Sequence, residues 1–187
     1  MTIAVCERLD ANQAAQVKAL VSAAAVVDDL APLSEHVLMR VMSPGEHDLH
    51  LLAHDGDALT GYLHLDRTDS LSGAVIELVV HPAHRRTGIG TQLIRSALAA
   101  APDAHVRLWA HGELHGAYEL AASLGFTKSR ELWQMRRSLF APLPRHECPV
   151  GISIRTFRPG MDDEQWLAAN AVAFSDHPEQ GRLSATP

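Results

Sequence analysis

The stretch Glu77-Leu78-Val79-Val80-His81-Pro82-Ala83-His84-Arg85-Arg86-Thr87-Gly88-Ile89-Gly90-Thr91 decides how this chain is read. An apolar strand runs into a short basic turn with two glycines, and the turn opens a helix. A phosphate at that place would meet free backbone N–H groups, the positive end of a helix dipole and two arginines. Glycine lets the backbone approach an anion with no side chain between them. The pattern predicts a phosphorylated ligand lying against the end of a strand.

Three glycine-rich phosphate loops compete for this pattern. A Walker-type loop ends in Gly-Lys-Ser/Thr, and no lysine stands here. A dinucleotide fingerprint needs a third glycine, whereas Gly88-Ile89-Gly90-Thr91-Gln92-Leu93 has Leu93 in that place. What remains is Arg85-x-x-Gly88-x-Gly90 after an apolar strand, which resembles motif A of the GNAT acyltransferases. That resemblance implies a pyrophosphate site for acetyl-CoA. The competing structural explanation is a glycine cap and tight turn with no ligand; the strand, the arginines and the helix together favour the ligand.

With 187 residues the chain has room for one full domain and a remainder. A hydrophobic fraction of 47% with 20% charged residues is ordinary for a globular protein. The net charge of −6 argues against a general nucleic-acid or anionic-membrane binder. Cys6 and Cys148 suit a reducing cytoplasm better than a disulfide scaffold. No apolar signal core or membrane-length run is present, so a cytoplasmic location away from membranes is expected. No metal is expected either. His81 and His84 straddle a proline in a turn, and His111 with His115 lacks a second matching pair.

Asp10 with Gln13 reads as a capping box, and Val17, Leu20, Val21, Ala24 and Val27 form one helical stripe. A short helix follows Ser34. Leu49 to His54 and Leu59 to Asp66 flank Asp55-Gly56-Asp57, a hairpin signal. After the strand at Glu77 to Val80 comes a helix with Leu93, Ile94, Ala97 and Leu98 inward. His105 to Ala110 reads as a strand, Glu113 to Leu124 as a helix ending at Gly125, and Arg130 to Leu139 as a strand closing the sheet. The order β-α-α-β-β-β-α-β-α-β predicts an α+β fold, with helices packed on a mainly antiparallel sheet. A GNAT domain has the same order.

Residues 1–140 are read as this domain and 141–151, proline-rich and polar, as a linker. Beyond it Ile152 to Phe157 reads as a strand, Pro159-Gly160 as a turn, and Asp162 to Phe174 as a helix with Trp166, Leu167 and Phe174 apolar. This repeats the opening, where Ile3 to Arg8 precedes the helix from Asp10. Residues 152–187 are therefore read as the start of a second GNAT domain, too short to bury a core of their own.

Four segments, in this order, resemble the mycothiol synthase family, whose members carry two GNAT domains in tandem. They are Glu77 to Thr91, Leu108-Trp109-Ala110-His111-Gly112, Arg130-Glu131-Leu132-Trp133-Gln134-Met135-Arg136-Arg137, and Val150 to Gly181 with its His177-Pro178-Glu179-Gln180-Gly181 ending. The first is common to many acetyltransferases; the later ones are more specific. The resemblance spans essentially the whole chain but only a little over half of the family's usual length.

It implies acetyl transfer from acetyl-CoA to the cysteinyl amine of Cys-GlcN-Ins, giving mycothiol and CoA, by a monomer when full length. It implies cofactor contacts at Leu78, Val79 and Val80 and at Arg86, Thr87, Gly88, Ile89, Gly90 and Thr91. It further implies substrate contacts at Glu35 and Glu179; Glu35 would otherwise be a first-turn helix charge. Such a transfer needs a base for the ammonium, donors for the carbonyl oxygen and an acid for the leaving thiolate. GNAT domains often keep a tyrosine as acid four residues before a Gly-Phe pair. Here Ala121 holds that place before Gly125-Phe126, with Tyr118 nearly a turn earlier. The family's working site lies in its second domain, and no catalytic residue is assigned within this chain. Glu77 is read as an exposed strand residue paired with a cation rather than as a base, since no second perturbing group is visible. Two other readings stay open: a non-catalytic acetyl-CoA-binding module, and a GNAT enzyme for another amine, such as a protein N-terminus or an antibiotic.

Overall fold

Asp10 accepts the amide of Gln13 at 2.8 Å while the Gln13 side chain accepts the Asp10 amide at 2.9 Å, so α1 (Ala11–Asp28) starts at the expected capping box. Ser34 caps α2 (Glu35–Met42) through the Val37 amide. The structure, a computed structural model, describes residues 1–43, 45–68, 73–101, 105–142 and 147–175, and the chain divides into two compact units, 1–130 and 131–187.

In the first unit β1 (Thr2–Cys6), β2 (Asp48–Asp55), β3 (Ala58–Asp66), β4 (Ala74–Val80) and β5 (Val106–Leu108) form one sheet in chain order. The first three pairings are antiparallel and β4 with β5 is parallel. The hairpin turns at Gly56, whose φ of 59° suits glycine, and a register shift at Ala53/His54 follows. Period-two alternation sends Leu51, Ala53, Leu63, Leu65 and Ile76 to one face, where α3 (Ile89–Ala100) covers them with Leu93, Ile94 and Ala97. Leu52, Tyr62 and Val79 take the other face, under Val17, Leu20 and Ala24 of α1 and Val37 and Val41 of α2. Both faces are covered, which is why Leu51 to Ala53 reads as a continuous apolar run rather than an alternation.

Several expectations need correction. Val27 is exposed, because ten residues beyond Val17 a helix has turned about 80° off the buried stripe. The helix expected from Glu113 is α4 (His115–Ser123), and β5 is shorter than His105 to Ala110. No strand forms at Arg130 to Leu139 or at Ile152 to Phe157, among residues described throughout. Both segments alternate correctly, but Trp133, Met135, Ile152 and Ile154 stay exposed. Alternation creates a face, whereas a strand also needs a neighbour for its N–H and C=O groups.

The second unit contains α5 (Asp163–Ala173), where Asp162 takes both nitrogens of Arg155 at 2.5 and 2.8 Å. Trp166 and Phe174 are half exposed, and Trp166 meets the Phe157 ring edge-on. Among the described residues no helix is long and apolar enough to cross a membrane.

Candidate functional site: an acyl-donor cleft between two strands

Two parallel strands that begin together and then part leave an opening between them. β5 pairs with β4 only from Ala74↔Val106 to Ile76↔Leu108, and the Trp109 amide donates to the Ile76 carbonyl at 3.0 Å. β4 continues to Val80 without a β5 partner. Along a strand the backbone groups of alternate residues face the same neighbour. Ala74 and Ile76 bond toward β5 and His81 donates to Thr60 of β3, so Leu78 and Val80 turn their amides toward the opening. The Val80 carbonyl accepts Arg85 Nε at 3.2 Å, leaving the Leu78 amide and carbonyl and the Val80 amide for a ligand.

The basic turn begins with a 3-10 turn at Pro82–His84, steadied by the Thr87 hydroxyl donating to the His84 carbonyl at 2.7 Å. Arg86 has φ 65° and Gly88 φ 89°. An arginine in the left-handed region is strained by about 1–3 kcal/mol, a feature that clusters at ligand sites. α3 then starts with no side-chain cap, and its first backbone bond is from the Gln92 amide to the Gly88 carbonyl. The amides of Ile89, Gly90 and Thr91 are therefore free of helix partners and carry the positive end of the dipole. This is a concave set of donors suited to phosphate oxygens.

The two arginines divide their roles, contrary to the expectation that both face an anion. Arg85 forks onto Asp28, the last residue of α1, with both nitrogens at 2.7 Å. It ties the turn to α1 and to β4 and is committed there. Arg86 is exposed and reaches Glu119 of α4 at 2.5 Å; Glu119 also meets His115 at 3.1 Å. A phosphate would compete with Glu119 for Arg86. The glycines divide as well. Gly88 needs its positive φ and has open space around it. At Gly90 a Cβ would stand 2.9 Å from Leu120 Cδ2, so this glycine lets α4 close onto the first turn of α3.

On the α1–α2 face, at the mouth of the opening, stands Glu77. It is buried rather than exposed, and the neighbour it pairs with is a histidine. One carboxylate oxygen accepts the Ser34 hydroxyl at 2.8 Å; the other accepts the Ser34 amide at 2.7 Å and faces His111 Nε2 at 3.0 Å. Burial pushes this carboxyl up, but the bonds from His111 and Ser34 outweigh it and hold Glu77 below the usual carboxylate range. With both oxygens taken, Glu77 is a poor proton acceptor. It braces the α2 N-terminus against the segment after β5. Sequence reading marked Ser34 as a helix start and His111 as part of a segment and of an incomplete histidine pair; nothing in their spacing joins them to Glu77.

Glu35, next to Ser34, is exposed in the first turn of α2. Glu179 lies outside the described residues. The position of an acid is filled by Ala121 in α4, whose carbonyl receives the Phe126 amide at 3.0 Å as Gly125, φ 81°, ends the helix. Tyr118, three residues earlier in α4, is exposed.

These features match what comparison with known proteins returns. The family model described as "Acetyltransferase (GNAT) family" covers residues 23–126. The mycothiol acetyltransferase of Salinispora tropica is 47% identical over 180 residues, 96% of this chain and 58% of that protein. The chain thus spans a little over half the length of such curated relatives. A GCN5-related N-acetyltransferase from Sphaerobacter thermophilus superposes with a TM-score of 0.67 at 24% identity, over 95% of this chain and 60% of that one. A putative acetyltransferase from Salmonella typhimurium, solved with its cofactor acetyl-CoA, gives 0.55 at 18% identity, over 74% of this chain and 87% of that one. The α+β sheet that opens between β4 and β5, the uncapped helix after a basic glycine turn and the family model agree: this chain belongs to the GNAT acetyltransferase family.

Proposed function

We propose that the chain is the N-terminal part of a mycothiol acetyltransferase and that its first unit binds acetyl-CoA. The pantetheine arm would lie along Leu78, Val79 and Val80, pairing with the amides that β5 leaves free. The pyrophosphate would sit against Arg86, Thr87, Gly88, Ile89, Gly90 and Thr91. The observation that carries this reading is the parting of β4 from β5, which opens onto the uncapped start of α3. The mycothiol acetyltransferase of Salinispora tropica, alike over nearly the whole chain, supports the substrate.

In the full-length enzyme the cysteinyl amine of Cys-GlcN-Ins would attack the thioester carbonyl, lose a proton and release CoA as a thiolate that takes up a proton. Glu35 and Glu179 would hold the sugar-thiol, and residues from Ile152 onward would begin a second domain of the same design. Within the first unit the chemistry is poorly equipped: Glu77 is fully bonded and Ala121 replaces the acid. A second reading follows from that observation, in which this unit binds acetyl-CoA without turning it over. Calorimetry with acetyl-CoA, paired with mass detection of acetylated Cys-GlcN-Ins, separates the two. Binding with ready turnover by the 187-residue chain would sink the non-catalytic reading, and absence of acetyl-CoA binding would sink both.

A further inference from the structure

β2 and β3 place a row of polar side chains on the face beneath α2. Their register sets Asp48 opposite Asp66, His50 opposite His64 and Leu52 opposite Tyr62. Asp48, His50 and His64 are each at most 1% exposed. One ligand atom from each lies within 4.8 Å of the others. Asp48 Oδ1, His50 Nε2 and His64 Nε2 are buried with no hydrogen-bond partner, although His64 Nε2 stands only 3.2 Å from Asp48 Oδ1. Those two atoms are close but not aligned for a hydrogen bond with each other. Three buried polar atoms without a partner in one place are expensive unless something joins them.

The geometry points to a binding site for one divalent first-row transition ion, such as zinc, held by Asp48 Oδ1, His50 Nε2 and His64 Nε2. Two ligands each about 2.1 Å from one ion lie roughly 3.0–3.4 Å apart in tetrahedral or octahedral arrangements. The Asp48–His64 separation already fits, and the wider contacts would close by small side-chain rotations. Outer partners are in place as well. His50 Nδ1 is 2.7 Å from the Tyr62 hydroxyl, which leaves Nε2 as the free nitrogen. Asp48 Oδ2 is held by the Gly45 amide and faces Arg40 of α2 at 3.7 Å, which aims Oδ1 inward. Burial holds His50 down to about 4 and lowers His64 too, with Asp48 opposing in both, so both rings are neutral near pH 7. Two imidazoles and one carboxylate form a borderline donor set suited to zinc or iron(II), with a further position for water. The ion would pin β2, β3 and the turn before β2 together, with His64 directly opposite Glu77 across the β3–β4 pair.

The test uses the untagged 187-residue chain, freed of metal by a chelator and titrated with zinc by calorimetry and with cobalt(II) by visible absorption. One equivalent should bind, with cobalt bands of nitrogen and oxygen ligation. His50→Gln and His64→Gln should each abolish that equivalent, and the exposed pair variant His81→Gln/His84→Gln should keep it. Tyr62→Phe deletes one oxygen and should weaken zinc about 10- to 100-fold by releasing His50. Absence of a stoichiometric ion overturns the proposal, as does unchanged binding in the His50 and His64 variants. If those two fail to fold, unchanged affinity in Tyr62→Phe overturns it alone.

Discussion

Replacing Arg85 and Arg86 by alanine, one at a time, tests whether adjacent arginines in a basic turn serve fold and ligand separately. Arg85 is two-thirds buried and grips Asp28, whose side chain is only 6% exposed, through two bonds of 2.7 Å. Asp28 also ends α1, where the helix dipole disfavours an anion. Removing one member of a buried pair costs about 3–5 kcal/mol, because the other charge is left uncompensated. The partial exposure of Arg85 admits water, so a loss of roughly 2–3 kcal/mol is expected. Arg86 and Glu119 are 74% and 45% exposed, and such pairs are worth less than about 1 kcal/mol. Alanine keeps the same strain at the positive φ of position 86, so that contribution cancels. The Arg86 change should instead remove a charge-assisted bond to phosphate, worth about 1.5–3 kcal/mol, or roughly 10- to 100-fold in Kd for acetyl-CoA. Urea unfolding monitored on the first unit, with calorimetry on the folded proteins, gives both numbers. Equal stability losses in the two variants would refute the division of roles, as would an Arg85 variant that binds worse than the Arg86 variant while staying as stable as wild type. Asp28→Asn in the Arg85→Ala background should restore part of the lost stability, since the orphaned charge is then gone.

Gly90→Val should weaken acetyl-CoA binding by pushing Leu120 and α4 off α3, so circular dichroism and calorimetry should change together; altered affinity with α4 undisturbed would instead favour direct blockage of the ligand. Glu77 is held below its ordinary value of 4.5, so its contribution is complete above pH 4.5 and is lost as the pH falls through its lower folded value. The stability gap between wild type and Glu77→Gln should therefore shrink below pH 4.5 in acid titrations, and a gap that widens there would reverse the assignment. The 187-residue chain should acetylate Cys-GlcN-Ins at well under about 1 per second, since acid–base help alone is worth about 10²- to 10⁴-fold; a faster rate measured on purified chain contradicts the site as described. With no buried residue in α5, its amides should exchange faster than those of α3 by hydrogen-exchange mass spectrometry, and equal protection in a monomeric sample would show that Trp166 and Phe174 are covered in solution.

Local chemistry made much of the fold legible from residues alone. The capping box at Asp10, the Ser34 cap and the Gly56 turn each act within a few residues, and each element they announce is present. The basic glycine turn was legible for the same reason, because an uncapped helix start and a left-handed glycine are short-range properties. Arg130 to Leu139 and Ile152 to Phe157 show the limit: alternation is local, but hydrogen bonding to a neighbouring strand is not.

Assignments that depend on distant partners were settled by tertiary structure. Arg85 and Asp28 are 57 residues apart, and Glu77 meets Ser34 and His111 across 43 and 34 residues, so no spacing rule could assign Arg85 to the scaffold or bury Glu77. The histidines that sequence spacing singled out, at 81, 84, 111 and 115, are not the ones the sheet brings together. His50 and His64 are polar residues inside strand patterns, and antiparallel register alone sets them opposite each other with Asp48 on the same face. A one-residue slip would turn each side chain of β3 to the opposite face and scatter that cluster. The sequence by itself therefore determined most of the elements and the basic glycine turn, through forces acting within a few bonds. Which charges are buried, which arginine is exposed and which histidines meet was decided by the packing of strands and helices far apart in the chain.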